Sequence, residues 1–350
     1  MSLRRIAAAE AIARLPGFSA VIDARSESEY AEDHLPGAVN WPSLTDAERR
    51  IVGTEYKQVS PFVARKHGAV LVARNIANHV ERHVAALERD WKPLVYCWRG
   101  GQRSGALATV LAAIGFTVHV VEGGYREFRR AVIAHLETLP ALLDFRVICG
   151  RTGSAKSRLL QTLAAEGAQV LDLEALANHR GSVLGLVPGT VQPSQKAFET
   201  GLWQVLRGLD PARPVFAESE SRTVGRCSVP EHLLERLRAA PCIHVQMPLD
   251  ARVAFLMDDY AHFVRDTAAF RERLATLREL RGGATVERWQ AEVQAGRIEG
   301  VVRELLVEHY DPTYTKSMQK NFGQFAAATP LELPDGSAAS LAAAARRLLS

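Results

Sequence analysis

The stretch Tyr96-Cys97-Trp98-Arg99-Gly100-Gly101-Gln102-Arg103-Ser104 sets a cysteine between an apolar run and an Ala/Leu-rich segment, with two glycines and two arginines in the turn. A strand feeding a helix through such a turn gathers backbone N–H groups and the helix N-terminus around the cysteine, an environment that favours an anion or a thiolate. Arg99 and Arg103 add positive charge, which lowers a thiol pKa and raises the nucleophilic fraction. Cys97 is therefore the candidate nucleophile, flanked by Arg99 and Arg103. Cys149, Cys227 and Cys242 lack such surroundings and read as small buried apolar side chains. No C-x-x-C spacing occurs, which argues against a zinc site and a disulfide framework.

A second turn, Cys149-Gly150-Arg151-Thr152-Gly153-Ser154-Ala155-Lys156-Ser157, follows the apolar run Phe145-Arg146-Val147-Ile148-Cys149 and leads into a helix expected over 158–165. It resembles a Walker A loop. Its backbone can wrap a diphosphate, Lys156 can neutralise outer phosphate oxygens, and the Ser157 hydroxyl can hold Mg²⁺. Gly150, Arg151, Thr152, Gly153, Ser154, Ala155, Lys156 and Ser157 are the candidate phosphate-binding residues. Ala155 stands where the pattern has glycine, and its methyl group narrows the approach of phosphate, which favours binding over ATP hydrolysis. Glu218 and Glu220, near the end of the apolar run Pro214-Val215-Phe216-Ala217-Glu218, are candidate metal-side or substrate groups, with Arg222 beside them. Solvated surface acids are the alternative for that stretch.

These turns need sheets to hold them. Residues 1–140 alternate short runs, Ala20-Val21-Ile22-Asp23, Ala69-Val70-Leu71-Val72, Pro93-Leu94-Val95-Tyr96 and Val118-His119-Val120-Val121, with helical stretches, the signature of a parallel sheet with helices. A helix is expected over 104–114, stopped by Gly115. The pattern restarts after Pro140 with further strand-like runs at 145–149, 168–172, 214–218 and 242–246. The expected layout is an α/β domain at 1–140 and a second α/β domain at 141–350, with a helical insertion around 251–309 broken at Gly282-Gly283. The tail at 337–350 is an amphipathic helix expected to pack on the sheet.

The 350 residues fit two domains, and 47% hydrophobic and 23% charged residues fit ordinary globular cores. No apolar run reaches the roughly 20 residues of a membrane span, and the start has no signal-peptide core, so a cytoplasmic protein without a membrane partner is expected. A net charge of +4 permits nucleic acid as a partner without demanding it.

Asp23-Ala24-Arg25-Ser26-Glu27-Ser28-Glu29-Tyr30, His34-Leu35-Pro36-Gly37-Ala38-Val39-Asn40-Trp41-Pro42, the Cys97 turn and Val121-Glu122-Gly123-Gly124-Tyr125 resemble the successive landmarks of a rhodanese domain over most of residues 15–137. That resemblance implies a persulfide, or its selenium counterpart, on Cys97. The turn has one more residue between Cys97 and Arg103 than the common short rhodanese loop, which implies a wider pocket. A rhodanese series followed by a phosphate loop is similar to the tRNA 2-selenouridine synthase family. Asp172-Leu173-Glu174, Asn178-His179-Arg180-Gly181-Ser182, Glu218-Ser219-Glu220-Ser221-Arg222 and Tyr310-Asp311-Pro312 extend the likeness along nearly the whole chain.

The resemblance implies a rhodanese-like domain followed by a P-loop NTPase-like domain. It also implies replacement of the 2-thio group of a wobble uridine in tRNA by selenium from selenophosphate, through S-geranylation from geranyl diphosphate. The implied partners are tRNA carrying 2-thiouridine and a selenophosphate supply system. No tightly bound cofactor and no required metal are implied, and Ser157 can hold Mg²⁺. His179 and Arg180 become site residues by this resemblance; on chemistry alone His179 reads as a surface loop histidine.

RNA affinity usually rests on arginine and lysine contacts to phosphate. Arg265, Arg271, Arg273, Arg278, Arg281, Lys316 and Lys320 are candidates, and Arg271, Arg278 and Arg281 share one side of a continuous helix by spacing. The segment from Arg252 to Arg303 is nearly neutral, with nine arginines against eight acids, so a solvated charged surface is the alternative. The competing functions are a rhodanese-type sulfurtransferase or a cysteine phosphatase fused to a nucleotide-binding domain, and a non-catalytic nucleotide-gated RNA-binding module. Cys97 and Arg103 have the Cys-to-Arg spacing of cysteine phosphatases, with Asp23 the nearest candidate acid.

Overall fold

The structure is a computed structural model that describes residues 2–180, 190–259, 261 and 266–350. The chain forms two compact units, Met1–Glu137 with Pro193–Gln204, and Thr138–Gln192 with Val205–Ser350. Both are α/β units built on a parallel sheet, as the alternation of runs predicts.

In the first unit, strands β1 (Ser2–Ile6), β2 (Ala20–Asp23), β3 (Ala38–Asn40), β4 (Pro93–Tyr96) and β5 (Thr117–Val121) form a parallel sheet in the order β1-β5-β4-β2-β3. Helix Gln102–Ile114 buries Leu107, Ala108, Leu111 and Ala112 on one stripe and stops at Gly115, whose φ of 126° suits glycine. The core joins that stripe to Ile22, Val95 and Val118. Each fully buried aliphatic side chain stabilises the fold by about 1.5–3 kcal/mol.

Residues 69–72, expected as a strand, lie inside the long helix Pro61–His83. The buried positions Ala64, Gly68, Leu71 and Ile76 follow a helical rather than a two-residue period, and Val70 is 57% exposed. Ser60 caps this helix by accepting from the Phe62 N–H, and Pro61 occupies its first turn.

Residues 193–204 join the first unit because their side chains fill it. Trp203 is fully buried, meets Phe128 edge-on at 5.6 Å and donates from Nε1 to His135 Nδ1. Thr200 donates to Asp33 at 2.9 Å, and Glu199 pairs with Arg129.

The second unit has strands β6 (Phe145–Gly150), β7 (Gln169–Leu171), β8 (Val215–Glu218), the short antiparallel pair β9 (Thr223–Val224) and β10 (Cys227–Ser228), β11 (Cys242–Gln246) and β12 (Thr329–Glu332). The main sheet is parallel in the order β12-β11-β6-β8-β7. Helix Ala338–Leu349 packs Leu341, Ala344 and Ala345 into the core beneath it, as expected of the tail.

Between β11 and β12 the chain is helical: Leu249–Asp259, Thr267–Ala275, Arg278–Arg281, Gly283–Gln294, Ile298–Glu304 and Asp311–Asn321. Phe270, Leu274, Leu277, Val286, Trp289 and Val293 give this appendage its own core. A π-helical stretch, Leu305–Tyr310, precedes Pro312, which has no N–H to give the carbonyl four residues back. No described helix is long and apolar enough to cross a membrane.

Candidate functional site

In the first unit, Cys97 follows β4 and is 3% exposed. The turn is clasped by the Gly123-Gly124-Tyr125 segment: the Tyr125 N–H donates to the Cys97 carbonyl at 2.8 Å and the Arg126 N–H to the Trp98 carbonyl at 3.1 Å. A Cβ on Gly124 would lie 2.2 Å from the Cys97 carbonyl oxygen, and its φ of 61° also requires glycine. Burial pushes the Cys97 thiol up. Hydrogen bonds from the Ser104 hydroxyl, the Ser104 and Gly101 N–H groups and the charge of Arg103 outweigh burial, so the thiol is held below its ordinary range. Arg103 is half-buried and donates to Glu29 at 2.8 Å, whereas Arg99 is exposed.

Asp23 is fully buried and bound by Arg25 through Nε at 3.0 Å and a terminal nitrogen at 2.6 Å, and it accepts from the Tyr96 hydroxyl at 2.8 Å. Both its oxygens are thus occupied by Arg25, and one also by Tyr96, so Asp23 serves the structure of the domain rather than standing ready as the leaving-group acid of a phosphatase.

In the second unit the loop of residues 150–157 leaves β6 and enters helix Lys156–Ala165. Ala155 has a left-handed backbone, φ 56°, where glycine is free of strain, and its methyl group lies in the apolar core with Ile148 and Leu159. The expected narrowing of the phosphate approach is thus replaced by backbone strain, because the methyl is buried. Lys156 Nζ donates to the Gly150 carbonyl at 2.8 Å, and the Gly150 N–H donates to the Tyr314 hydroxyl at 2.5 Å. Arg252, 2% exposed, grips Asp311 through both terminal nitrogens at 2.9 and 2.6 Å and donates from Nε to the Thr152 carbonyl at 2.9 Å. Tyr314 and the Arg252–Asp311 pair hold the loop from outside.

Carboxylates converge on its helix end. Register sets Ile148 of β6 beside Glu218 of β8, and Leu171 of β7 beside Ala217, so three neighbouring strand ends deliver the loop, Glu218 and Glu174. Oxygens of Glu174, Glu218 and Glu220 lie within 4.8 Å of one another, and the Ser157 hydroxyl donates to Glu174 at 3.0 Å. Burial, then Glu174 and Glu220, raise Glu218 well above the carboxylate range; burial and Glu174 raise Glu220 to about 8, and burial raises Glu174. Glu218 is 2% exposed, yet its Oε1 has no partner among the described residues. An orphaned buried oxygen in a set of hard oxygen donors fits a divalent cation such as Mg²⁺.

These groups share a cavity of about 710 Å³, lined also by His179, Arg180, Arg238 and His309. His179 is 9% exposed, and Arg180 donates to Asp259. Arg222 turns instead to Glu231 on the surface and is not brought to the cavity.

Arg271, Arg278 and Arg281 do not share one helix face, because helix Thr267–Ala275 ends where Leu274 and Leu277 turn into the appendage core. Arg278 pairs with exposed Glu287, and Arg281 donates to His309 Nδ1 at 2.9 Å. Lys316 and Lys320 are exposed. Gly181, Ser182 and Arg265 lie outside the described residues.

Cys149 is kept protonated by its hydrogen bond with Cys242 and by burial, in keeping with an inert role. Sequence chemistry missed Glu174, Arg252, Tyr314 and Arg238 as site residues. Glu174 has a visible signal, its place just past an apolar run; the others follow only from the fold.

Residues 7–131 match the rhodanese-like domain, and residues 143–278 match the tRNA 2-selenouridine synthase AAA domain. A tRNA 2-selenouridine synthase of Alcanivorax borkumensis is 32% identical over 335 residues, covering 87% of this chain and 90% of that protein. One of Chromohalobacter salexigens is 32% identical over 92% of this chain and 93% of its own length. One of Nitrosomonas europaea is 36% identical over 69% of this chain and 63% of its own.

Proposed function

Because the chain belongs to the tRNA 2-selenouridine synthase family, we propose that it works in the cytoplasm on tRNA carrying 2-thiouridine at the wobble position. There it exchanges the 2-thio sulfur for selenium in two steps. A thiocarbonyl sulfur is a poor leaving group until it is alkylated. In the first step the sulfur attacks the terminal carbon of geranyl diphosphate, the carbon–oxygen bond breaks and diphosphate leaves. In the second, selenide released by hydrolysis of selenophosphate, made available by a supply system, attacks the Cys97 sulfur in a mixed disulfide with a small thiol, freeing that thiol and leaving a perselenide on Cys97. The perselenide selenium attacks the base carbon and displaces the geranylated sulfur as geranyl thiolate. The small thiol then attacks the Cys97 sulfur, breaking the selenium–sulfur bond to give 2-selenouridine and restoring the mixed disulfide.

The observation that supports the first step is the cavity in which the 150–157 loop, Lys156 and the Glu174–Glu218–Glu220 set meet. Loop N–H groups and Lys156 take up the negative charge that develops on the departing diphosphate. A divalent cation held by Ser157 and the carboxylates would neutralise further phosphate charge. Ala155 causes no loss here, since diphosphate departure requires no ATP hydrolysis. The low thiol pKa of Cys97 supports its role as the chalcogen carrier, and the reaction needs no tightly bound organic cofactor.

Nucleoside mass spectrometry tests this directly. The protein is incubated with 2-thiouridine tRNA, geranyl diphosphate and selenophosphate in the presence of a small thiol. Geranylated nucleoside should appear with geranyl diphosphate alone, and 2-selenouridine once selenophosphate is added. Recovery of unchanged 2-thiouridine in both arms would sink the reading. Cys97→Ala should lose selenium incorporation while binding tRNA within about a few-fold of wild type, because a thiol contributes no phosphate contact.

A further inference from the structure

One wall of the cavity owes nothing to the phosphate loop. It carries Arg238, near the end of helix Glu231–Ala239, whose carbonyl accepts from the Gly323 N–H just past Asn321, with Thr313, Ser317 and Asn321. The last three recur every four residues on helix Asp311–Asn321 and so form one polar ridge. Arg158 and Arg180, which also line the cavity, are committed to Asp259. Arg238 differs: its side chain has no hydrogen bond or ion pair among the described residues, and its Nε is buried without a partner. A guanidinium that lines a cavity without a counter-ion is unfavourable, and an anion bound there would supply one.

A neighbouring group can add a donor. Ser317 Oγ accepts from Asn321 Nδ2 at 3.2 Å, which leaves the hydroxyl proton to be given elsewhere. A planar guanidinium with such a hydroxyl donor matches the oxygens of a tetrahedral oxyanion.

We propose that Arg238 and the Ser317 hydroxyl form a second anion subsite, which takes a phosphate group other than the diphosphate at the loop. The proposal rests on the reading of loop 150–157 as the diphosphate site. The phosphate comes from one of two sources, a phosphodiester beside the target nucleoside of the RNA or a free phosphate-type donor.

Binding to the full-length protein separates these sources without requiring turnover. Wild type, Arg238→Gln and Ser317→Ala are titrated with inorganic phosphate, inorganic diphosphate and a 2-thiouridine anticodon stem-loop RNA across a salt series. Arg238→Gln should weaken phosphate or the stem-loop about tenfold, with diphosphate held within about twofold, and Ser317→Ala should weaken the same probe less. A loss confined to the stem-loop, with a salt slope lower by about one, assigns the RNA phosphate. A loss confined to inorganic phosphate assigns the free donor, and losses of both support a shared subsite. Wild-type affinity for all three probes in Arg238→Gln, or loss of diphosphate in step with the others, overturns the subsite. A wild-type protein that does not bind diphosphate overturns the reading of the loop instead, and the Arg238 comparison still stands on the other two probes.

Discussion

The Ser104 hydroxyl donates to the Cys97 sulfur across 3.1 Å, from the first turn of the helix whose N–H groups also face that sulfur. The charged form of the thiol is what this geometry favours. The rate of Cys97 alkylation by iodoacetamide should therefore rise with pH to a midpoint below that of an ordinary cysteine, since the thiolate forms earlier. Ser104→Ala should move the midpoint upward and slow alkylation at neutral pH several-fold, a hydrogen bond to a charged group being worth about 1.5–3 kcal/mol. An unchanged profile would remove Ser104 from the control of this thiol.

Lys156 bridges the Gly150 carbonyl and the phosphate space at the start of its helix. Its loss deletes the main side-chain charge facing a departing diphosphate. Lys156→Ala should reduce geranylation by about 10²–10³-fold, the usual effect of removing one group that stabilises developing negative charge. Single-turnover formation of geranylated nucleoside measures it, and full activity would exclude a catalytic loop.

The strands that frame both sites were legible because they are short β-branched runs buried on both faces, as at 20–23, 93–96 and 145–150. The run at 69–72 carries the same composition but lies in a helix, where Leu71 faces inward and Val70 outward. Strands β1 and β12 were hidden: Arg4 and Arg5 break the apolar run of one, and Pro330 lies in the other, which is an edge strand. Glu218 and Glu220 could be read from the end of one strand. Glu174 joins them only because β7 lies beside β8, a neighbourhood that sequence spacing does not encode.

Glu218 should behave as a buried cation ligand. Glu218→Gln keeps its shape and removes the charge that burial and the neighbouring glutamates disfavour, so without divalent ions the variant should melt no lower than wild type. Saturating Mg²⁺ should raise the wild-type melting temperature by a few degrees and leave the variant unmoved, because only the binding-competent fold gains from the ion. Equal Mg²⁺ shifts in both proteins would exclude Glu218 as a ligand.

Arg252 and Asp311 test whether support of the loop can be separated from stability. Arg252 is 2% exposed, so Asp311→Asn leaves a buried cation short of its counter-ion. Breaking such a pair typically costs about 3–5 kcal/mol. Urea denaturation should show a loss near the lower end of that range, because the Asp311 side chain is 15% exposed and partly hydrated. Replacing both partners with apolar residues, Arg252→Met with Asp311→Leu, removes the uncompensated charge and should recover most of the stability. The double variant should still bind inorganic diphosphate weakly, because the Thr152 carbonyl has lost the Arg252 Nε–H that fixes the loop. Recovery of stability and diphosphate affinity together would show that the pair serves the fold alone and that the loop keeps its shape without it.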